Sequence, residues 1–230
     1  MITPRLRAFA CFGDYRHSHG GTVVGDHFYI GGGSGIAEPS FERYDPSTNT
    51  WSYLANMLQG THDDPDGNSF TWAGAQWYNI FVGFNGKVYS LSGRQGAGDH
   101  GQCTVYIPAD DTWRMIRPMP VAVVNAGAAT DGQYIYAAGP YPLTTPTFKY
   151  DPAADVWTTL TAARSEAACC FSMTAAAGIL YRVGGWASSF KQSAEKYDPN
   201  DGANGKWTAL APPNTLRGQE GIAAFYKASA

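Results

Sequence analysis

"YDPSTNTW", residues 44–51, recurs as "YIPADDTW" (106–113), "YDPAADVW" (150–157) and "YDPNDGANGKW" (197–207). The tyrosine-to-tryptophan spacing is seven residues three times and ten in the last copy, where residues around Gly202–Asn204 are inserted. Asp-Pro followed by Ser, Thr, Asn or Asp is turn chemistry: proline sets φ at the first central position, and short polar side chains bond back to the turn backbone. Aromatic residues on either side favour a pleated strand. Each copy therefore reads as strand, tight turn, strand.

A second block precedes each copy: "FYIGGG" (28–33), "VYSLSG" (88–93), "IYAAG" (135–139) and "LYRVGG" (180–185). Its tyrosines, Tyr29, Tyr89, Tyr136 and Tyr181, stand 15, 17, 14 and 16 residues before the downstream ones. A small-residue strand such as "GGTVVG" (20–25) opens the unit, and paired glycines fit a sharp exit from the second strand. The unit is thus an antiparallel meander of four strands, with no convincing helical periodicity. Four such sheets bury their faces by packing radially against one another, the arrangement of a β-propeller.

Glycine pair, tyrosine, Asp-Pro turn and tryptophan, in that order and at a period of roughly 50 residues, resemble the kelch repeat over residues 14–226. Ser92-Gly93 replaces the glycine pair and Ile107 the aspartate in the second copy, and the third keeps only Gly139. The predicted fold is an all-β kelch-type propeller forming one domain over 1–230. Its complete blades span about 16–55, 76–117, 123–161 and 164–211, with an insertion at 57–75 and an incomplete fifth blade from 1–13 and 217–230. The alternative is a portion of a larger six- or seven-bladed ring.

Composition narrows the function classes. The chain of 230 residues has 44% hydrophobic and 15% charged residues, enough apolar material for a sizeable core. A net charge of −3 leaves no basic footprint for nucleic acid. No apolar run reaches membrane-span length, and "MITPRLRAFACF" (1–12) lacks the apolar core of a signal peptide. Cys11, Cys103, Cys169 and Cys170 show no Cys-x-x-Cys spacing. They read as reduced, buried and structural, which favours a cytoplasmic location.

Arg16-His17-Ser18-His19 matches the usual kelch repeat start. Counting back 13 residues from Tyr29, Tyr89 and Tyr136 gives Arg16, Gln76 and Val123. Arg164 is read as their equivalent in the fourth unit, with "TAAAG" lengthening its turn, and Arg217 as the start of a fifth. On an extended chain His17 and His19 would face the same side, but no third ligand is apparent, so neither a metal nor a cofactor is expected.

The resemblance implies that Arg16, Gln76, Arg164 and Arg217 gather at one mouth of the channel, beside Arg94, Tyr141, Glu166, Trp186 and Glu220. Converging guanidinium groups suit carboxylates or phosphates. Alternatively, the arginines pair with Glu166 or Glu220 and fix their loops. "MLQGTHDDPDGNSFTWAGAQWYN" (57–79) adds Phe70, Trp72, Trp77 and Tyr78, as recognition anchors or as plugs. Within it Asp64, Asp66 and Asn68 alternate like the start of an EF-hand loop. The glycine falls one place early, however, and Ala75 stands where the acid is needed, so turn chemistry explains the run better.

No Gly-x-Ser-x-Gly, His-Glu-x-x-His or phosphate-loop pattern occurs, so no catalytic residue is assigned. The expected function is a non-catalytic binding or scaffold module for a protein or peptide, acidic if the arginines are its contacts. A carbohydrate binder stacking sugars on Trp72, Trp77 or Trp186 is one alternative. A kelch-type small-molecule enzyme, akin to a sugar isomerase or an oxidase and using Glu166, is the other.

Overall fold

The repeat units form four antiparallel sheets in the computed structural model, which describes residues 16–35, 39–73, 76–96, 98–139 and 146–215. The first blade comprises β1 (Gly20–Val24), β2 (His27–Gly31), β3 (Phe41–Asp45) and β4 (Thr50–Tyr53). The second comprises β5 (Ile80–Phe84), β6 (Lys87–Gln95), β7 (Gly98–Ile107) and β8 (Thr112–Ile116). The third contains β9 (Gly127–Thr130), β10 (Ile135–Ala138), β11 (Thr147–Asp151) and β12 (Val156–Leu160). The fourth contains β13 (Ser172–Ala176), β14 (Ile179–Val183), β15 (Ala194–Asp198) and β16 (Lys206–Leu210).

Every blade is a simple up-and-down meander, and no helix occurs among the described residues. The inner strands lie side by side in chain order, β1 against β5, β5 against β9 and β9 against β13. This is a four-blade propeller arrangement. The segments expected to supply a fifth blade, 1–13 and 217–230, lie outside the described residues.

The Tyr–Trp copies are structurally equivalent. Tyr44 lies opposite Trp51, Tyr106 opposite Trp113, Tyr150 opposite Trp157 and Tyr197 opposite Trp207, so the turn absorbs the insertion in the fourth unit. The tyrosine hydroxyl closes each turn: it donates to Asn49 Oδ1 (2.8 Å), Asp111 Oδ1 (2.7 Å) and Asp155 Oδ1 (2.6 Å), and in the fourth blade to Asn204 O (2.7 Å). Asn49, Asp111 and Asp155 have φ of 57°, 50° and 53°. Short polar side chains tolerate that left-handed conformation better than bulky ones do.

The same turn residue and the tryptophan join each blade to the one before it. Ala55 N donates to Asp111 Oδ1 (2.8 Å), and Trp113 Nε1 donates to Ala55 O (3.1 Å). One blade on, Arg117 N donates to Asp155 Oδ1 (2.9 Å) and Trp157 Nε1 to Arg117 O (2.9 Å). Trp207 Nε1 reaches Thr147 Oγ1 of the third blade at 2.8 Å. Trp113 and Trp207 are buried, while Trp51 and Trp157 are half-buried. These links fix neighbouring blades against each other and so define the axis on which the cavities open.

Candidate functional site at the propeller axis

The four first strands enclose a cavity of about 510 Å³ lined by Ser18–Gly21, Tyr78–Phe81, Asn125–Ala128 and Cys170–Met173, four residues from each blade. The leading residue of each set is left-handed, with φ of 57° at Ser18, 56° at Tyr78, 55° at Asn125 and 58° at Cys170. That shared kink brings adjacent blades into backbone contact. Tyr78 N donates to Ser18 O (2.9 Å) and Cys170 N to Asn125 O (2.8 Å). Glycine is required at residue 20, where an added Cβ would lie 2.5 Å from the Phe81 ring. Ser18, His19, Tyr78, Asn79, Asn125 and Ser172 line the cavity beside Ile80, Phe81, Phe171 and Met173, so its lining is mixed polar and apolar.

A second cavity of about 360 Å³ shares Tyr78, Asn125 and Cys170 with the first, and adds Arg94, Val124, Cys169, Trp186 and Phe190. It is a vestibule to the axial cavity. Trp186 and Phe190 sit opposite each other in a short hairpin, Trp186–Ala187 with Ser189–Phe190, and are 37% and 55% exposed. Arg94 Nε donates to Asp99 Oδ1 at 2.6 Å, and Trp77, half-buried, is the strand partner of Arg94.

Of the residues expected at the mouth, Arg94 and Trp186 meet in the vestibule, with Trp77 alongside. Tyr141, Arg217 and Glu220 lie outside the described residues. Trp72 is elsewhere: it is buried in the hairpin formed by Gly60–Asp63 and Ser69–Trp72, edge-on to Phe70 and His100. That hairpin is tied to the second blade through Asp66–Arg117 (2.5 Å) and Gln95 Nε2 to Thr71 O (3.0 Å). The insertion covers that blade, and of the stretch 57–79 only Tyr78 and Asn79, beyond the insertion's end at residue 75, line the axial cavity. Asp64 accepts hydrogen bonds from the backbone N–H groups of Asp66 and Asn68, both 2.9 Å, so the acidic run is a self-closed turn.

Two of the expected arginines are internal to their blades. Arg16 and Glu42 form an ion pair with both side chains essentially inaccessible, and Arg16 also donates to Ser40 Oγ (2.7 Å), Ser40 O (3.1 Å) and Gly32 O (3.3 Å). The partner is Glu42, two residues before the blade tyrosine, and not the expected Glu166.

Arg164 is not the counterpart of Arg16. Tyr29, Tyr89, Tyr136 and Tyr181 pair with residues seven positions upstream in all four blades, so the "TAAAG" turn is not lengthened. The position equivalent to Arg16 is therefore Ala168. Arg164 is buried, donates to Ala168 O (3.0 Å) and stacks on Phe171 at 5.1 Å. Burial, and then the neighbouring Arg182 charge, lower its pKa to about 10.

In the fourth blade Arg182 does the work of Arg16 from another strand. It lies directly across from Glu195 and donates to its carboxylate through Nε (2.7 Å), to Gly184 O (2.9 Å) and to Ser193 Oγ (3.0 Å). Glu166, half-buried, accepts a hydrogen bond from Ser193 and faces Lys191 (3.5 Å) and Arg182 (3.7 Å). Arg182 and Glu195 were not singled out from the sequence. The available signal was a charged residue between Tyr181 and its glycine pair, on a strand that is otherwise apolar. Phe190, Asn125 and Cys170 were missed as lining residues because they reach the axis through loops.

The histidine pair also reads differently in three dimensions. Ser18 interrupts the extended run, so the alternation that would align His17 with His19 does not hold. His17 and His19 are both exposed. Partial desolvation of the His19 ring lowers its pKa, with the Arg16 charge and then His17 adding to the effect. Among the described residues no three His, Cys, Asp or Glu side chains stand together as a metal site.

Four meander sheets around an axial cavity define the class, a β-propeller. The Kelch motif family model matches residues 15–58 and 167–214, the first and fourth blades, which are the two that carry a buried Arg–Glu pair. Kelch-like protein 26 of Danio rerio is 26% identical over 132 residues, covering 54% of this chain and 19% of that protein. Kelch-like protein 23 of Pongo abelii is 26% identical over 179 residues, covering 62% of this chain and 32% of that protein. The chain thus spans a third or less of the length of these relatives. The solved structure of YjhT superposes with a TM-score of 0.72 at 15% identity, over 89% of this chain and 67% of that one, a likeness of fold. Two of the four blades thus match the Kelch motif, and the chain is similar to kelch-repeat proteins.

Proposed function

We propose that this propeller is a protein-interaction module that takes a peptide segment at the vestibule, with one apolar side chain inserted between Trp186, Phe190 and Tyr78. The observation that carries the reading is the pair of exposed aromatics on one hairpin, at a concave opening that shares Tyr78, Asn125 and Cys170 with the axial cavity. Rigid aromatic side chains are common anchors of interfaces, and amide and hydroxyl groups at the cavity mouth suit a peptide backbone. The similarity to Kelch-like proteins supports the class of function by analogy. Arg16 and Arg164 are held inside their blades; among the described residues Arg94, itself paired with Asp99, is the arginine that lines the vestibule.

The test is selection of peptides from a displayed random library on the purified protein, followed by binding to Trp186→Ala/Phe190→Ala and Arg94→Ala variants. Loss of at least tenfold in affinity for the aromatic double variant, with an unchanged melting temperature, is expected. Peptides that bind this variant as well as the parent would place recognition elsewhere. A second reading, a small polar ligand such as a carbohydrate, draws on the hydroxyl and amide lining of the axial cavity. It predicts glycan-array binding that Asn125→Leu abolishes.

A further inference from the structure

Cys169 and Cys170 adjoin the vestibule, and their sulfurs face each other. The Sγ atoms are 3.0 Å apart, closer than unbonded sulfurs ordinarily approach. On an extended strand successive side chains point to opposite faces. Here Cys170 is left-handed (φ 58°) and its N–H is held by Asn125 O (2.8 Å), a kink that brings the two side chains together. The pair is asymmetric. Cys170 is partly exposed and lines both cavities, whereas Cys169 is buried and bonded through its backbone to Trp186, N to O at 3.0 Å and O from N at 2.7 Å. Cys103, by contrast, is sealed in the core between the second and third blades.

We propose that Cys169 and Cys170 are a redox-active pair that closes to an intramolecular disulfide, with a small-molecule disulfide such as glutathione disulfide as oxidant. Cys170, the accessible thiol, gives up its proton and attacks one sulfur of the oxidant. The oxidant's S–S bond breaks and one glutathione thiol leaves. Cys169 then attacks the Cys170 sulfur, the Sγ–Sγ bond forms, and the second glutathione departs as a thiol. Two protein thiols lose two electrons, and one disulfide is reduced to two thiols.

The order of attack follows from the environment. Burial pushes the Cys169 thiol up to about 12, with the hydrogen bond and charge of Cys170 adding to it, so Cys169 is a poor first nucleophile. The contribution of the Cys170 charge ends once that sulfur is capped. Because Cys169 and Trp186 are joined by their backbones, closure acts directly on the vestibule wall.

The folded full chain is incubated with glutathione disulfide, quenched with acid, alkylated and digested with trypsin. Cleavage after Arg164 and Arg182 yields Ser165–Arg182, which contains Cys169 and Cys170 and no other cysteine. The expected peptide is lighter by two hydrogens than its reduced form, takes up no alkylating reagent, and reverts with dithiothreitol. The Cys169→Ser variant should instead accumulate glutathione on Cys170, and the Cys170→Ser variant should leave Cys169 alkylatable. A persistent glutathione adduct on Cys170 of the parent protein overturns the proposal. So does a peptide that stays fully reduced, or a disulfide that forms only in urea.

Discussion

Replacing Arg16 with glutamine leaves the Glu42 carboxylate buried without its charge partner. The pair is inaccessible on both sides, and Arg16 also holds Ser40 and Gly32 through its guanidinium. Breaking a buried ion pair by removing one partner costs about 3–5 kcal/mol, because the remaining charge has no solvent to turn to. The chain contains its own control. In the second blade the equivalent positions are Gln76 and Thr104, and in the third Val123 and Phe148, so charge is absent from both members together. Arg16→Gln combined with Glu42→Thr should therefore recover most of the loss, coming within about 1–2 kcal/mol of the parent, far less than the two single losses summed. Urea unfolding followed by tryptophan fluorescence on the four proteins of the cycle measures it. If the double variant loses as much as the two single variants summed, the glutamate is not retained to satisfy the arginine, and the reasoning fails.

His100 is buried between Phe70 and Trp72, and burial lowers its pKa to about 4, against a smaller opposing effect of Asp99. The unfolded chain takes up this proton below pH about 6.5, and the folded chain only near 4, so acidification through that window favours unfolding. The loss approaches about 3 kcal/mol; urea midpoints at pH 7 and 4.5 should diverge in the parent and converge in His100→Gln. Trp113→Ala should destabilise by about 3–5 kcal/mol, as usual for a buried large aromatic, while Trp157→Ala should cost clearly less because that ring is half-buried. Equal losses by calorimetry would contradict the dependence of the loss on burial, since both rings make the same inter-blade hydrogen bond.

The sequence by itself determined the repeating unit, because the chemistry of that unit is local. Asp-Pro turns, the tyrosine that closes them and the tryptophan seven residues on all lie in one hairpin, so their spacing survives as text. It survives even in the fourth unit, where the longer turn leaves Tyr197 opposite Trp207. The radial packing was expected because repeated small sheets cover their faces by packing around an axis.

What the arginines do was decided only by tertiary structure. The partner of a buried guanidinium depends on which carboxylate lies across the sheet. That carboxylate is Glu42 for Arg16, 26 residues away, and Glu195 for Arg182, 13 residues away. The assumption of a lengthened turn misplaced Arg164: equivalence is fixed by strand pairing, which keeps the common offset and puts Ala168 at that position. The vestibule was equally hidden. Tyr78, Arg94, Asn125, Cys170 and Trp186 come from three blades and meet only because each chain kinks into a left-handed residue at the axis or turns in a loop beside it. Local sequence encodes turns and strand faces, but a convergence of loops is set by the angles at which whole blades pack.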